Sequence, residues 1–190
     1  MICTIGPLHY AQAAPVSKVM RDVIRLFVQI AMLRRGPQDL PASLLLLVLT
    51  VCAYVAVFVV VSALLPPTAG WQLALGVDVL FTLAWYAALL QLAGRRERFL
   101  QTASGIFGLQ ALLTPPLLAS EWLVKRFGQD ATWQLPVGVL VLAVLIWVIA
   151  ANSHVVKAAL EWSSTSSVAL VILQNVASQL LLFALFPPGG

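Results

Sequence analysis

The chain has 190 residues, of which 61% are hydrophobic and 9% are charged, and its formal net charge at pH 7 is +4. A soluble domain carries roughly 25% charged residues, so this composition excludes a soluble globule, and it also excludes a disordered, collagenous or disulfide-rich chain. The basic residues stand beside hydrophobic runs and not in a block of their own, which is typical of membrane topology and not of nucleic-acid binding. The composition therefore predicts an integral membrane protein that binds no nucleic acid.

Two elements are predicted before the first long apolar run. Residues 1–19 do not form a signal peptide, and we expect them to be a disordered or artefactual leader. In residues 17–35 apolar side chains recur with a helical period, which predicts an amphipathic interfacial helix within residues 20–40. Its basic residues indicate contact with anionic lipid, and packing against the bundle or a partner is an equally open alternative. These basic residues are Lys18, Arg21, Arg25, Arg34 and Arg35.

Residues 41–190 form the predicted transmembrane domain, since they contain five apolar stretches near the roughly 20 residues that a helix needs to cross a bilayer. The stretches are residues 43–65, 71–93, 99–122, 133–151 and 166–186. Pro115 and Pro116 predict a kink in the third span, because proline removes a backbone donor and clashes with the preceding turn. Residues 155–165 are expected to form a loop or a short surface helix, in which Lys157 and Glu161 have i,i+4 spacing on one face. The predicted fold class is thus all-α, a polytopic bundle of about five transmembrane helices.

The distribution of basic residues between the predicted spans indicates the orientation. Lys and Arg are frequent before the first span and between the second and third spans, whereas residues 66–70 contain none. Because basic residues are retained on the cytoplasmic side, we expect a cytoplasmic N-terminus and a periplasmic C-terminus. Lys125 and Arg126, on the predicted outer side, are the exception to this alternation.

Asp78 is the most informative single residue, since it lies seven positions after Trp71 and therefore about 10 Å inside the predicted second span. A carboxylate at that depth costs several kcal/mol unless it is paired or protonated. Gln179 in the fifth span has a similar predicted depth, which places it within hydrogen-bonding reach of Asp78. This carboxylate belongs either to a proton- or cation-binding site on a transport path or to the polar contacts that fix helix packing.

A polar stripe in the fifth span is expected to face the interior of the bundle. Gln174, Asn175, Ser178 and Gln179 follow one another at helical spacing. Asp78, Gln174, Asn175 and Gln179 together form the candidate intramembrane polar site. In the third span, Ser104 and Gly108 have the spacing at which small residues let helices approach closely. These polar and small residues also favour self-association of the chain.

No arrangement of residues in the sequence indicates catalysis. The serines at 163–167 have no adjacent histidine and carboxylate, and His154 has no second ligand at helical spacing. We therefore expect no enzyme activity, no cofactor and no metal site.

Three parts of the chain carry a resemblance to a known family: residues 98–103, residues 106–108 leading to Pro115 and Pro116, and residues 147–186 with His154. Together they resemble the Yip1-domain membrane proteins, specifically their short bacterial members. The resemblance implies a non-catalytic protein of the bacterial inner membrane, acting in scaffolding, assembly or membrane organisation through protein partners. The alternative, drawn from the residues themselves, is a small transporter or channel subunit that uses Asp78 and the polar face of the fifth span.

Overall fold

The computed structural model describes the backbone of residues 16–64 and 70–186, and the side chains of residues 21–61 and 70–186. In these ranges the chain forms six α-helices, two short 3-10 turns and no strand. The helices are α1 (Val16–Ala31), α2 (Leu44–Leu64), α3 (Trp71–Leu92), α4 (Phe99–Phe127), α5 (Ala131–Leu160) and α6 (Ser164–Leu185). Helices α2 to α6 are each long and apolar enough to cross a membrane. The prediction of an all-α bundle with five spans is confirmed.

The C-terminal end of α5 differs more from its predicted boundary than the end of any other predicted span. The helix runs through the predicted start of a loop at residue 155 and ends at Leu160. Asn152 and Ser153 lie inside it and are buried. Their side chains donate to the carbonyl oxygens of Val148 (2.9 Å) and Ile149 (2.6 Å) in the preceding turn. These polar side chains are satisfied by their own helix and therefore do not end it. Helix α4 also continues beyond its predicted end, to Phe127.

Prolines are accommodated inside two of the helices. Helix α4 is continuous through Pro115 and Pro116, and α5 is continuous through Pro136, a third proline inside a predicted span. The two α4 prolines cannot donate to the carbonyl groups four residues earlier, at Ala111 and Leu112. The bend at Pro115 and Pro116 stays a prediction.

Helix α4 lies at the centre of the bundle, in contact with α1, α2, α3 and α5. Every residue from Thr102 to Leu109 is buried. The close approach predicted for its small residues is confirmed. A Cβ atom at Gly105 would lie 3.5 Å from Pro37 and from Val155, and a Cβ atom at Gly108 would overlap the ring of Phe27. The small side chains of α4 thus admit neighbouring elements that a larger residue would exclude.

Helix α1 is packed against the bundle, which was one of the two alternatives left open by the sequence. Phe27, Ile30 and Ala31 are buried, and Trp147 Nε1 of α5 donates to the carbonyl oxygen of Ala31 at 2.9 Å. The helix begins at Val16, four residues before its predicted start, and residues 1–15 of the predicted leader lie outside the described residues. Direct contact of α1 with the bundle also positions the segment that leads into α2.

The segment between α1 and α2 is fixed by side chains of the bundle. Gln101 Nε2 of α4 donates to the carbonyl oxygen of Leu40 at 2.8 Å, and His154 Nε2 of α5 lies 3.0 Å from that of Arg35. Gly36, Pro37 and Leu40 are buried. These contacts hold the backbone to the bundle on both sides of the 3-10 turn Pro37–Asp39.

An ion-pair cluster joins the α3–α4 and α5–α6 connections at the predicted cytoplasmic end. Glu161 adopts a left-handed conformation directly after α5 and pairs with Arg95 (2.5 Å) and Arg98 (2.7 Å). Arg98 also donates to the carbonyl oxygens of Ala158 and Ala159, in the last turn of α5. The i,i+4 spacing of Lys157 and Glu161 does not lead to a pair between their described side chains, because the turn after α5 directs Glu161 towards the arginines. Lys157 Nζ instead donates to Ser164 Oγ at 2.9 Å.

Protonation of Glu161 is expected to weaken this cluster. Hydrogen bonds from Arg98 and Arg95 lower the pKa of Glu161 below its ordinary value of 4.5. A carboxylate with a lowered pKa contributes stability above its unfolded-state pKa, and that contribution is lost as the pH falls through the folded-state pKa. The melting temperature of the wild type should therefore fall more steeply below pH 4.5 than that of Glu161→Gln. Glu97→Gln, in the α3–α4 connection between the two arginines, is the matched control, and equal profiles for the wild type and Glu161→Gln would contradict the assignment.

Candidate polar cavity

Polar side chains from all five spanning helices line one cavity of about 370 Å³. The four residues of the predicted polar site are among them. The polar lining consists of Tyr54 from α2, Asp78 and Thr82 from α3, Gln110 and Thr114 from α4, Asn152 from α5, and Gln174, Asn175, Ser178 and Gln179 from α6. The structure thus brings the predicted residues of the second and fifth spans to one place, together with polar residues of the other three spans.

The cavity occupies the middle of the bundle and extends towards the predicted outer side. Asp78 lies about 10 Å from the outer end of α3, and the lining reaches Ala74 and Leu182, each within one turn of the outer end of its helix. At the opposite end, Tyr86 Oη donates to Gln174 Oε1 at 2.6 Å, and Leu90 is buried one turn further in. Below the Tyr86–Gln174 bond the inner half of the bundle is filled by the main hydrophobic core.

The carboxylate of Asp78 accepts a hydrogen bond on each of its oxygens. Tyr54 Oη donates to Oδ2 at 3.0 Å and Ser178 Oγ donates to Oδ1 at 2.8 Å. The structure therefore pairs Asp78 with these hydroxyls and not with Gln179. Ser178 lies one turn after Gln174 on the buried face of α6, whereas Gln179 is exposed and reaches the cavity from its edge. Asp78 consequently connects α2, α3 and α6.

Several residues at the cavity were not among the site residues predicted from the sequence. On α3, Asp78, Thr82 and Tyr86 are spaced by four residues, and this regular spacing would have placed all three on one face. Tyr54 and Gln110 stand in apolar runs, each with one threonine four residues away, Thr50 and Thr114. Their position in the sequence does not say whether they face lipid, another helix or a cavity.

The cavity is rich in hydrogen-bond acceptors and has no described positive charge. None of the described residues that line it is Lys, Arg or His, so an ionised Asp78 is its only charged group. Asn152 and Asn175 each use an amide N–H within their own helix, towards Val148 and Val171. Gln110 Oε1 is buried and has no partner within the described structure. Such a lining favours a small cation or a solute that donates hydrogen bonds.

A second, wholly different cleft lies between α2 and α4. It measures about 530 Å³ and is lined by Ala56, Val57, Val60, Val61, Pro115, Leu118, Ala119 and Trp122. These side chains provide apolar contacts of the kind that lipid acyl chains make. Although this cleft is the larger of the two, it has almost no polar surface, and the polar cavity is therefore the candidate site. Among the described residues, no three His, Cys, Asp or Glu side chains lie close enough together to hold a metal ion.

Comparison with known proteins gives no match to a family model, to a curated protein or to a solved structure. The resemblance to Yip1-domain proteins therefore stays a prediction. The geometry of the cavity and the chemistry of its residues are the observations that bear on function.

Proposed function

We propose that this non-catalytic membrane protein takes a small cation or a hydrogen-bonding solute into the polar cavity, as a small transporter or channel subunit would. The observation that carries the proposal is the carboxylate of Asp78 at the wall of a cavity to which all five spans contribute. The cavity also approaches the outer ends of α3 and α6, which would give a solute a route of entry from that side.

The size of the cavity favours ligand binding over a purely structural use of its polar groups. Polar contacts between membrane helices need only one or two hydrogen bonds, which contribute about 0.6 to 2 kcal/mol each. Protein interiors are close-packed and contain few voids larger than a water molecule. A polar space of about 370 Å³ has room for several waters or for a small solute.

Ligand binding can be tested by melting the full-length protein in detergent at constant ionic strength. The probes are sodium, potassium and ammonium chloride, with N-methylglucamine chloride as the large-cation reference and glycerol as a neutral solute. At least one small probe should raise the melting temperature of the wild type and of Asp22→Asn, an exposed carboxylate on α1. A small cation should lose this effect in Asp78→Asn, because the amide is neutral. A wild type that responds to none of the small probes would contradict the proposal.

A second candidate function is scaffolding through protein partners or self-association, as the Yip1 resemblance implies. The observation in its favour is that both oxygens of Asp78 already accept hydrogen bonds from neighbouring helices, which is how polar residues stabilise membrane bundles. If scaffolding is the function, Asp78→Asn would leave that function intact. Partners captured by crosslinking in membranes would then be the same for the variant and the wild type. Loss of function in Asp78→Asn with an unchanged set of partners would exclude it.

We place the protein in the bacterial inner membrane with the N-terminus in the cytoplasm and the C-terminus in the periplasm. The orientation is supported by the distribution of Lys and Arg between the connections, and the bacterial inner membrane by the small size of the chain and its resemblance to short bacterial Yip1-domain proteins. An alkaline phosphatase fused to the C-terminus should be active, and one fused to the N-terminus should be inactive. The reverse pattern would overturn the orientation.

A further inference from the structure

We propose that α1 holds anionic phospholipid of the leaflet next to it, with Ile24, Val28 and Met32 in the acyl region and Arg21 and Arg25 at the phosphate groups. This inference is independent of the solute proposed for the polar cavity. It depends on the exposed side of α1, which the structure separates clearly from the side that is docked on the bundle.

Helix α1 has two apolar faces, and only one of them is covered. Phe27, Ile30 and Ala31 are buried against the bundle, whereas Ile24, Val28 and Met32 are 55%, 41% and 58% exposed. The three exposed residues are spaced by four and form a continuous stripe that begins beside the docked face. Met32, the first residue after α1, continues the helical register because its N–H donates to the carbonyl oxygen of Val28 at 3.0 Å. With 3.6 residues per turn, the stripe spans about 80° of the helix circumference. A second apolar face of this kind needs an apolar environment outside the bundle.

Two exposed arginine side chains lie on the part of this stripe that is farther from the docked face. Arg21 is about 60° around the helix from Ile24, within the sector of the stripe but before its first apolar residue, and Arg25 is about 100° from Ile24, just beyond the edge of the stripe. Arg34 and Arg35 are exposed directly after the helix, and the side chain of Lys18 lies outside the described residues. Long basic side chains can keep their stems along acyl chains and extend their charged ends to the headgroups. An apolar stripe bordered by guanidinium groups therefore matches the acyl and phosphate layers of an anionic leaflet.

The contacts of α1 with the bundle hold this side in a fixed orientation. Phe27 fills the space left by Gly108, and Trp147 and His154 bind backbone carbonyl groups at Ala31 and Arg35. These three contacts lie along one side of the helix and of the segment that follows it. Because α4 and α5 are themselves membrane-spanning, the helix docked on them is held beside the lipid that surrounds the bundle. A docked helix binds lipid without an entropic cost for its own folding, in contrast to a free amphipathic peptide.

Native mass spectrometry can measure the lipid affinity of the full-length protein in detergent. The probes are phosphatidylglycerol and, as the neutral reference, phosphatidylcholine. The wild type should bind phosphatidylglycerol more tightly, and Arg21→Gln with Arg25→Gln should weaken that binding about thirty-fold, as expected for two basic residues near a membrane surface. The matched control, Lys125→Gln with Arg126→Gln, removes two exposed charges from the opposite end of the bundle and should change α1-dependent binding little. Equal weakening in both double variants, or in neither, would overturn the proposal.

A probe on the stripe distinguishes lipid from a protein partner. In a background with Cys3→Ser and Cys52→Ser, a bimane group is attached to Val28→Cys or, as control, to Asp22→Cys. Both positions are exposed, but Asp22 lies about 120° around the helix from Val28. In bilayers that contain anionic lipid with brominated chains, the Val28 probe should be strongly quenched and the Asp22 probe should be quenched more by aqueous iodide. Protection of the Val28 probe from both quenchers would indicate a protein on the stripe and would refute the lipid assignment.

Discussion

Replacement of Gly108 by alanine is expected to destabilise the protein, although the same substitution at Gly76 or Gly138 is expected to be neutral or slightly stabilising. A Cβ atom at Gly108 would overlap the ring of Phe27, which is itself buried between α1 and the bundle. Overpacking of this kind costs about 1 to 3 kcal/mol. A Cβ atom at Gly76 or Gly138 meets no atom within 4 Å, so those variants should show only the helix propensity gain of up to about 1 kcal/mol.

The three single glycine-to-alanine variants are denatured in mixed micelles, and the free energy of unfolding of each is compared with that of the wild type. If Phe27 is the cause, Phe27→Ala should remove most of the cost of Gly108→Ala, and the double-mutant cycle should give a coupling energy of the same order as the cost itself. Equal effects of alanine at all three glycines would show that α1 does not dock at Gly108.

Replacement of Asp78 by alanine is expected to cost about 1 to 3 kcal/mol, because it leaves the hydroxyl groups of Tyr54 and Ser178 without their acceptor. Asp78→Asn should cost clearly less. Its amide oxygen can accept from one hydroxyl and its amide nitrogen can donate to the other, so the connection between α2, α3 and α6 is retained. Asp78→Asn thus separates the charge of the residue, which binding of a cation requires, from its hydrogen bonds, which the fold requires.

The same unfolding measurement tests this network when Tyr54→Phe and Ser178→Ala are included. Each should couple to Asp78→Ala with an energy of up to about 1.7 kcal/mol, the upper end of the values found for hydrogen bonds between membrane helices. Thr50→Ala in α2 is a suitable control, because the Thr50 hydroxyl donates to the carbonyl oxygen of Leu47 within its own helix. Additive effects of Asp78→Ala with both partner variants would contradict the hydrogen bonds on which the polar cavity is built.

The number and approximate bounds of the spans follow from the sequence, because a bilayer imposes a minimum apolar length on each helix. The C-terminal end of α5 does not follow from the sequence. Asn152 and Ser153 suggested a boundary in the sequence, but their hydrogen bonds to the preceding turn allow the helix to continue to Leu160. The partners of Glu161 do not follow from the sequence either, because Arg95 and Arg98 are distant from it along the chain, whereas Lys157 is the basic residue at i,i+4 spacing.

The candidate site was predictable only in part. Asp78 and the stripe of α6 could be identified because polar groups in hydrocarbon are costly and therefore stand out. Tyr54 and Gln110 could not be assigned, since α2 and the middle of α4 face both lipid and protein with apolar residues, and their hydrophobic pattern does not distinguish the two sides. Likewise, Gly108 indicates that something approaches α4 closely, but only the structure identifies Phe27 of α1 as that element.

Solvent access to position 78 shows whether the polar cavity at Asp78 is open to water, as binding of a cation or solute requires. In the full-length protein with Cys3→Ser and Cys52→Ser, Asp78→Cys is exposed to a membrane-impermeant thiol reagent from each side of the membrane. Asn175→Cys is labelled in parallel because it lines the same cavity and leaves Asp78 in place, and Leu80→Cys is the control on the exposed, lipid-facing side of α3. A water-filled cavity predicts labelling of positions 78 and 175 from the outer side and protection of position 80. Protection of positions 78 and 175 from both sides, in a folded and inserted protein, would contradict the account and leave Asp78 as a buried packing residue.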